Sequence, residues 1–142
     1  MNLPMILLDT NIISEAMRAA PSNRVLAWLD GNGANGLFLS TITIAEITYG
    51  LGCLAEGNRR EDLDQRFSRL IKVGFSHRIL SFDEACARAY GEIMGARKRR
   101  GLPMSVLDGQ IASIARSNGH ALATRNTKDF ESCGLELINP FE

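Results

Sequence analysis

The chain has 142 residues, enough for one domain with a packed core, and its 45% hydrophobic and 23% charged content is that of a globular protein. Sixteen basic residues balance sixteen acidic ones, which argues against strong nonspecific nucleic-acid binding but leaves room for a local basic face. No run of about 18 apolar residues or signal-peptide pattern is present, and Cys53, Cys86 and Cys133 fit neither a disulfide framework nor a zinc spacing, so a reduced, cytoplasmic protein is expected.

Met5 to Leu8 is an unbroken apolar run, the pattern of a strand covered on both faces. It stops at Asp9-Thr10-Asn11, short polar residues that favour turns and helix N-caps, and a short helix follows to Met17. Ala20-Pro21-Ser22 ends that helix, and Ser22 caps a second reaching Asp30, with Val25, Leu26 and Leu29 on one face. Gly31-Asn32-Gly33 and Gly36 break the chain before a second buried strand, Leu37 to Ser40. The spacing of Ile44, Ile47, Leu51 and Leu54 predicts a helix from about Thr43, ended by Glu56-Gly57-Asn58. A charged amphipathic helix over 61–73 comes next, with Leu63, Phe67, Leu70 and Ile71 inward.

Ile79-Leu80 is a short third strand. Asp83 starts a long helix to about Arg100, with Ala85, Ala89, Ile93 and Met94 facing the core. Gly101-Leu102-Pro103 terminates it. Ser105 opens another, with Leu107, Ile111, Ile114 and Ala115 inward and Asn118-Gly119 as the stop. Ala121 to Thr124 is a fourth strand, Arg125 to Asp129 a polar turn, and Leu135 to Ile138 an edge strand. With no repeat or linker, residues 1–142 read as a single domain, a three-layer α/β/α sandwich around a mostly parallel sheet.

On that frame the acids gather. Asp9 follows the first strand, Glu46 and Asp108 lie in the first turns of two later helices, and Asn126 and Asp129 follow the fourth strand. In a doubly wound sheet these positions share the carboxyl edge, where ligands bind. Each also has a plain structural reading, since Thr43-x-x-Glu46, Ser105-x-x-Asp108 and Asn126-x-x-Asp129 resemble capping boxes. Caps, however, need not share an edge. Two carboxylates about 4 Å apart repel by about 4 kcal/mol at an effective dielectric of 20, a cost that a divalent cation removes. A set of oxygen donors with neither His nor Cys suits Mg²⁺ or Mn²⁺ rather than zinc.

Asp9-Thr10-Asn11 after an apolar strand, S-T-I-T-I-A-E over Ser40 to Glu46, S-V-L-D-G-Q-I-A around Asp108, and T-R-N-T-K-D-F from Thr124 to Phe130 occur in that order. Together, and over nearly the whole chain to Asn139-Pro140, the sequence resembles the PIN-domain family, in particular the VapC and FitB type toxins of bacterial toxin–antitoxin pairs. The resemblance implies an endoribonuclease that binds Mg²⁺ or Mn²⁺ and hydrolyses phosphodiesters by metal-activated water. Carried over by position, the acids are Asp9, Glu46 and Asp108. The fourth place is Asn126, where some relatives have aspartate, and Asp129 is an alternative oxygen donor or a turn cap. Thr10 and Thr124 match hydroxyls that orient the site, with Asn11 supporting them.

The resemblance also implies a homodimer and a cognate antitoxin lying along a groove, for which Ile12, Met17, Val25, Trp28 and the helix from Glu61 are candidates against a core role. Arg125, Arg97 and Arg100 are candidate RNA contacts, although cations at a helix C-terminus also favour the helix dipole. His77 and His120 are isolated and carry no catalytic role. Two other classes compete with a nuclease: a binding module on the same scaffold without turnover, and a phosphotransfer receiver or phosphohydrolase, which the absence of an acid pair at Asp9 disfavours.

Overall fold

The computed structural model describes residues 5–33 and 36–142. Five strands, β1 (Ile6–Leu8), β2 (Leu37–Ser40), β3 (Ile79–Leu80), β4 (Ala121–Ala123) and β5 (Leu137–Ile138), form one sheet in the order β3-β2-β1-β4-β5. Every pairing is parallel, with Ile6 opposite both Leu37 and Ala121, Leu39 opposite Ile79, and Leu122 opposite Leu137. The chain winds outward from β1 through β2 to β3, then returns to lay β4 on the other side of β1. The switch point therefore falls between β1 and β4, the crevice where open α/β sheets bind ligands.

Among the described residues six α-helices cover the faces: α1 (Thr10–Ala16), α2 (Asn23–Gly31), α3 (Thr41–Gly52), α4 (Asn58–Arg69), α5 (Glu84–Arg99) and α6 (Val106–Ser117). Alternation along β1 sends Ile6 and Leu8 into one core with Ile12, Val25, Ile47, Leu51 and Phe67, and Leu7 into the other with Cys86, Ile93, Ile111 and Ile114. This double burial is what an unbroken apolar strand requires, and it makes the three layers. At Gly109 a Cβ would stand 2.6 Å from the Met94 sulfur and 2.9 Å from the Tyr90 ring. The missing side chain lets α5 and α6 close together directly beside Asp108.

Several expectations shift. Ser40 rather than Thr43 caps α3, its Oγ accepting from the Thr43 amide at 3.1 Å. The helix therefore begins at Thr41, and Glu46 lies beyond its first turn. Helix α3 already ends at Gly52, and Asn58 opens α4, whose last turn widens into a π-helical segment, Leu70–Gly74. Leu107 was expected to face inward and is 44% exposed beside Val106 at 58%. Helix α6, about 18 Å long, packs on a strand of about 10 Å, so its first turn projects past the sheet edge. Ala85, in the first turn of α5, is likewise exposed.

Candidate functional site

The centre of the site is Asp9, where β1 meets α1. Its amide donates to the Ala123 carbonyl at 2.9 Å, which seats it on the crevice between β1 and β4. It is only 5% exposed. Oδ1 accepts from the Thr10 amide at 2.8 Å, while Oδ2 accepts from the Thr124 hydroxyl at 2.8 Å and from Asn11 Nδ2 at 3.2 Å. Burial pushes the carboxyl up to about 6. The Thr124 and Thr10 bonds resist that rise, and the charges of Asp108 and Glu46 add to it.

Thr124 directly follows β4 and is fully buried. Its hydroxyl oxygen also accepts from the Asn126 amide at 3.1 Å and lies 3.5 Å from Asn11 Nδ2. The Asn11 carbonyl oxygen accepts from the Arg125 amide at 3.3 Å, and Asn139 donates to the Arg125 carbonyl at 3.3 Å. The loop after β4 is thus held against the loop after β1 by side-chain bonds.

On the other flank, Thr10 Oγ1 donates to Glu46 Oε1 at 2.8 Å and lies 3.0 Å from Thr43 Oγ1. The Ser40 hydroxyl donates to Thr43 Oγ1 at 3.5 Å. Because Thr10 spends its single proton on Glu46, the remaining hydroxyl protons run one way: Ser40 to Thr43, Thr43 to Thr10, Thr10 to the carboxylate. Glu46 is therefore oriented by another element rather than used as a cap. Ser40 and Thr43 were not among the expected site residues; their signal is hydroxyls in S-T-I-T directly after a strand.

Asp108 is in the first turn of α6, and its amide donates to the capping Ser105 Oγ at 3.2 Å, so that capping pair is real. Its carboxyl is half-buried and raised above the usual range, first by burial and then by Asp129, while the Ser105 hydroxyl and the Arg97 charge lower it. Glu46 and Asp108 act on Asp9, and Asp129 acts on Asp108. Asn126 makes no side-chain cap bond to the 3-10 turn Thr127–Phe130, which removes the third capping box; its side chain and that of Asp129 are exposed.

Among the described residues no three His, Cys, Asp or Glu side chains close into a ready-made metal cage. An all-protein cage of the calcium or zinc kind does not fit. A hydrated Mg²⁺ does, because it takes one or two carboxylates and keeps several waters. The buried Asp9, raised by its own burial and by two other acids, gives such a cation something to relieve.

Arg97 is not available to RNA. It is 5% exposed, and its guanidinium is spent on the carbonyls of Leu102, Pro103 and Glu131. Arg100 is exposed at the end of α5, and Arg125 is exposed with its guanidinium 4.6 Å from the centre of the Phe141 ring. Ile12 and Val25 are core rather than groove. A cleft of about 640 Å³ does start at Thr10 and Glu46 and runs between α1, α3 and α4 over Met17, Ile47, Leu51 and Leu63, edged by Arg18, Arg59 and Arg66.

The model of the PIN domain matches residues 6–134. The plasmid stability protein StbB of Pseudomonas syringae pv. tomato is 43% identical over 97% of this chain and 99% of its own. The VapC ribonuclease Y4jK of Sinorhizobium fredii is 41% identical over the same shares. The crystal structure of FitAcB from Neisseria gonorrhoeae superposes with a TM-score of 0.92 at 39% identity, covering 97% of this chain and 99% of that one. No helix among the described residues is long and apolar enough to cross a membrane. Matched along almost its whole length in sequence and in fold, and carrying its acids at the sheet's switch point, the chain belongs to the PIN-domain family.

Proposed function

We propose that this protein is a Mg²⁺- or Mn²⁺-dependent endoribonuclease that acts in the cytoplasm as the toxin of a VapBC-type pair. The observation that carries this reading is Asp9: a buried carboxylate held by Thr124, Asn11 and the Thr10 amide, with Asp108 and Glu46 close enough to raise it further. Similarity to a VapC ribonuclease and to a protein named toxin FitB gives that acid set its substrate class.

Asp9, Asp108 and Glu46 would hold the cation, with Asp129, whose charge acts on Asp108, a further candidate. A divalent cation there supplies neutralising charge, polarisation of phosphoryl oxygens and a more acidic water. The chain's own part is positioning. Thr124 and Asn11 fix one Asp9 oxygen, and the Thr10 hydroxyl fixes Glu46. The Asn126 backbone N–H is tied to the Thr124 hydroxyl, which leaves its exposed side chain at the same edge. Arg125 and Arg100, both exposed, are suited to RNA phosphates. The cleft between α1, α3 and α4 reaches the acids and suits a segment of the antitoxin, with apolar side chains for its floor and the three arginines for its rim. Self-association as a homodimer is part of the same proposal and is read by light scattering of the purified chain.

RNA cleavage by the purified protein should require Mg²⁺ or Mn²⁺, stop on chelation, and fall roughly 100-fold or more in Asp9→Asn and in Asp108→Asn, since even outer residues of metal sites contribute about 10–100-fold. Folded variants that cut at the parental rate would overturn the assignment. A parent that binds the cation without cutting any RNA would favour a binding module.

A further inference from the structure

The basic end of α5 reads as a solvated run, yet one of its four cations points inward. Arg97 lies four residues after the buried Ile93, on the same helical face, and is itself buried. Its Nε donates to the Leu102 carbonyl at 3.1 Å, one terminal nitrogen faces the Pro103 carbonyl at 3.5 Å, and the other donates to the Glu131 carbonyl. The Arg97 carbonyl in turn accepts from the Leu102 amide at 2.9 Å, so Leu102 is gripped from both sides. The ion pairs found among the described residues do not include Arg97. A guanidinium buried against carbonyls, with the Cys133 thiol also beside it, is costly to place there unless it does work for the fold or the site.

The two segments it joins identify the work. Leu102 and Pro103 lead through Met104 into Ser105, which caps the helix turn that carries Asp108. Glu131 follows the 3-10 turn that carries Asp129. These two loops come from distant parts of the chain, and Arg97 bonds the backbone of both. Its planar fork spreads donors over three nitrogens and so reaches carbonyls on separate loops, whereas an ammonium has all its donors on one atom.

We propose that Arg97 is a positioning residue that splices the Asp108 loop to the Asp129 loop, and thereby makes Asp129 the further oxygen donor of the cation site in this chain, where Asn126 replaces an acid. This rests on the metal-dependent reading above.

The test is direct Mn²⁺ binding, followed by electron paramagnetic resonance on the parent, Arg97→Lys, Asp129→Asn and the double variant. Arg97→Lys keeps the stem and the charge but loses the fork, and its affinity should fall about 10-fold, as expected for residues behind metal ligands. Asp129→Asn should fall by a similar factor, and the double variant no further than either single one. Affinities within twofold of the parent, or losses that multiply, would overturn the inference while leaving the metal site standing. A parent that binds no Mn²⁺ would remove both.

A measurement on the unaltered chain covers the case in which Arg97→Lys does not fold. The Arg97 Nε–H resonance should shift on Mg²⁺ addition along the same saturation curve as the Asp108 amide. A resonance unmoved at saturating Mg²⁺ contradicts the splice.

Discussion

Two aspartates start helices after strands of the same sheet, and they behave in opposite ways. Asp83, ahead of α5, is exposed, and its Oδ1 accepts from the Cys86 amide at 3.0 Å, three residues on. That bond to its own helix holds the carboxyl below its usual range. Asp9, ahead of α1, also caps its helix through the Thr10 amide, but it is buried, takes a further bond from Thr124 after β4, and is driven up to about 6 by burial. A cap is satisfied by the turn it begins. An acid of a site is held from elsewhere as well and placed where its charge is disfavoured, which is how perturbed groups mark functional positions.

The widest separation between the two should appear in catalysis. Asp83→Asn should leave RNA cleavage at the parental rate, while Asp9→Asn loses roughly 100-fold or more. Equal losses in both would erase the distinction.

Stability comes next, and there the order reverses. Asp9 binds its proton more tightly in the folded state than in the unfolded one, so the metal-free fold holds extra protons between about pH 4 and pH 6. Its contribution is most favourable below that window, declines as pH rises through it, and is constant above. Asp9→Asn should therefore be more stable than the metal-free parent at pH 7.5, by up to about 3 kcal/mol, and the gap should vanish near pH 4. Urea unfolding of both at four pH values reads this directly. A parent that gains stability relative to the variant on going from pH 4 to pH 6 would contradict the burial of Asp9.

The smallest effect comes from a buried group with no company. His120 sits ahead of β4, away from the acids, with no partner for Nδ1 among the described residues and its ring 4.6 Å from Phe38. Burial lowers its pKa. Its contribution is present above about pH 6.5 and is lost as pH falls. His120→Leu should remove that loss, read by urea unfolding at pH 7.5 and pH 5, and leave cleavage untouched. Burial without converging partners is thus a liability rather than a site.

Much of this was legible in the residues. The unbroken runs Ile6–Leu8, Leu37–Leu39 and Ala121–Ala123 are strands because a doubly covered sheet leaves no face for polar residues. Asp9, Asp108 and Thr124 follow from where those strands end and which helices come next. Glu46 was less readable. Ser40 and Thr43 both offer a cap, and the choice depends on β2 ending at the sheet edge, a tertiary fact; once Ser40 takes it, Glu46 is free to meet Thr10. Arg97 was misjudged because a tetrad of cations suggests a solvated helix end. The period from Cys86 through Ile93 marks the buried stripe and predicts position 97 on it, but nothing local reveals the carbonyls of Leu102 and Glu131 waiting there.

The most direct measurement is anomalous X-ray diffraction from crystals grown with Mn²⁺. A manganese peak is expected at the switch point between β1 and β4, within about 2.3 Å of carboxylate oxygens of Asp9 and Asp108. A peak elsewhere on the chain, or none at a concentration that supports RNA cleavage, would contradict it.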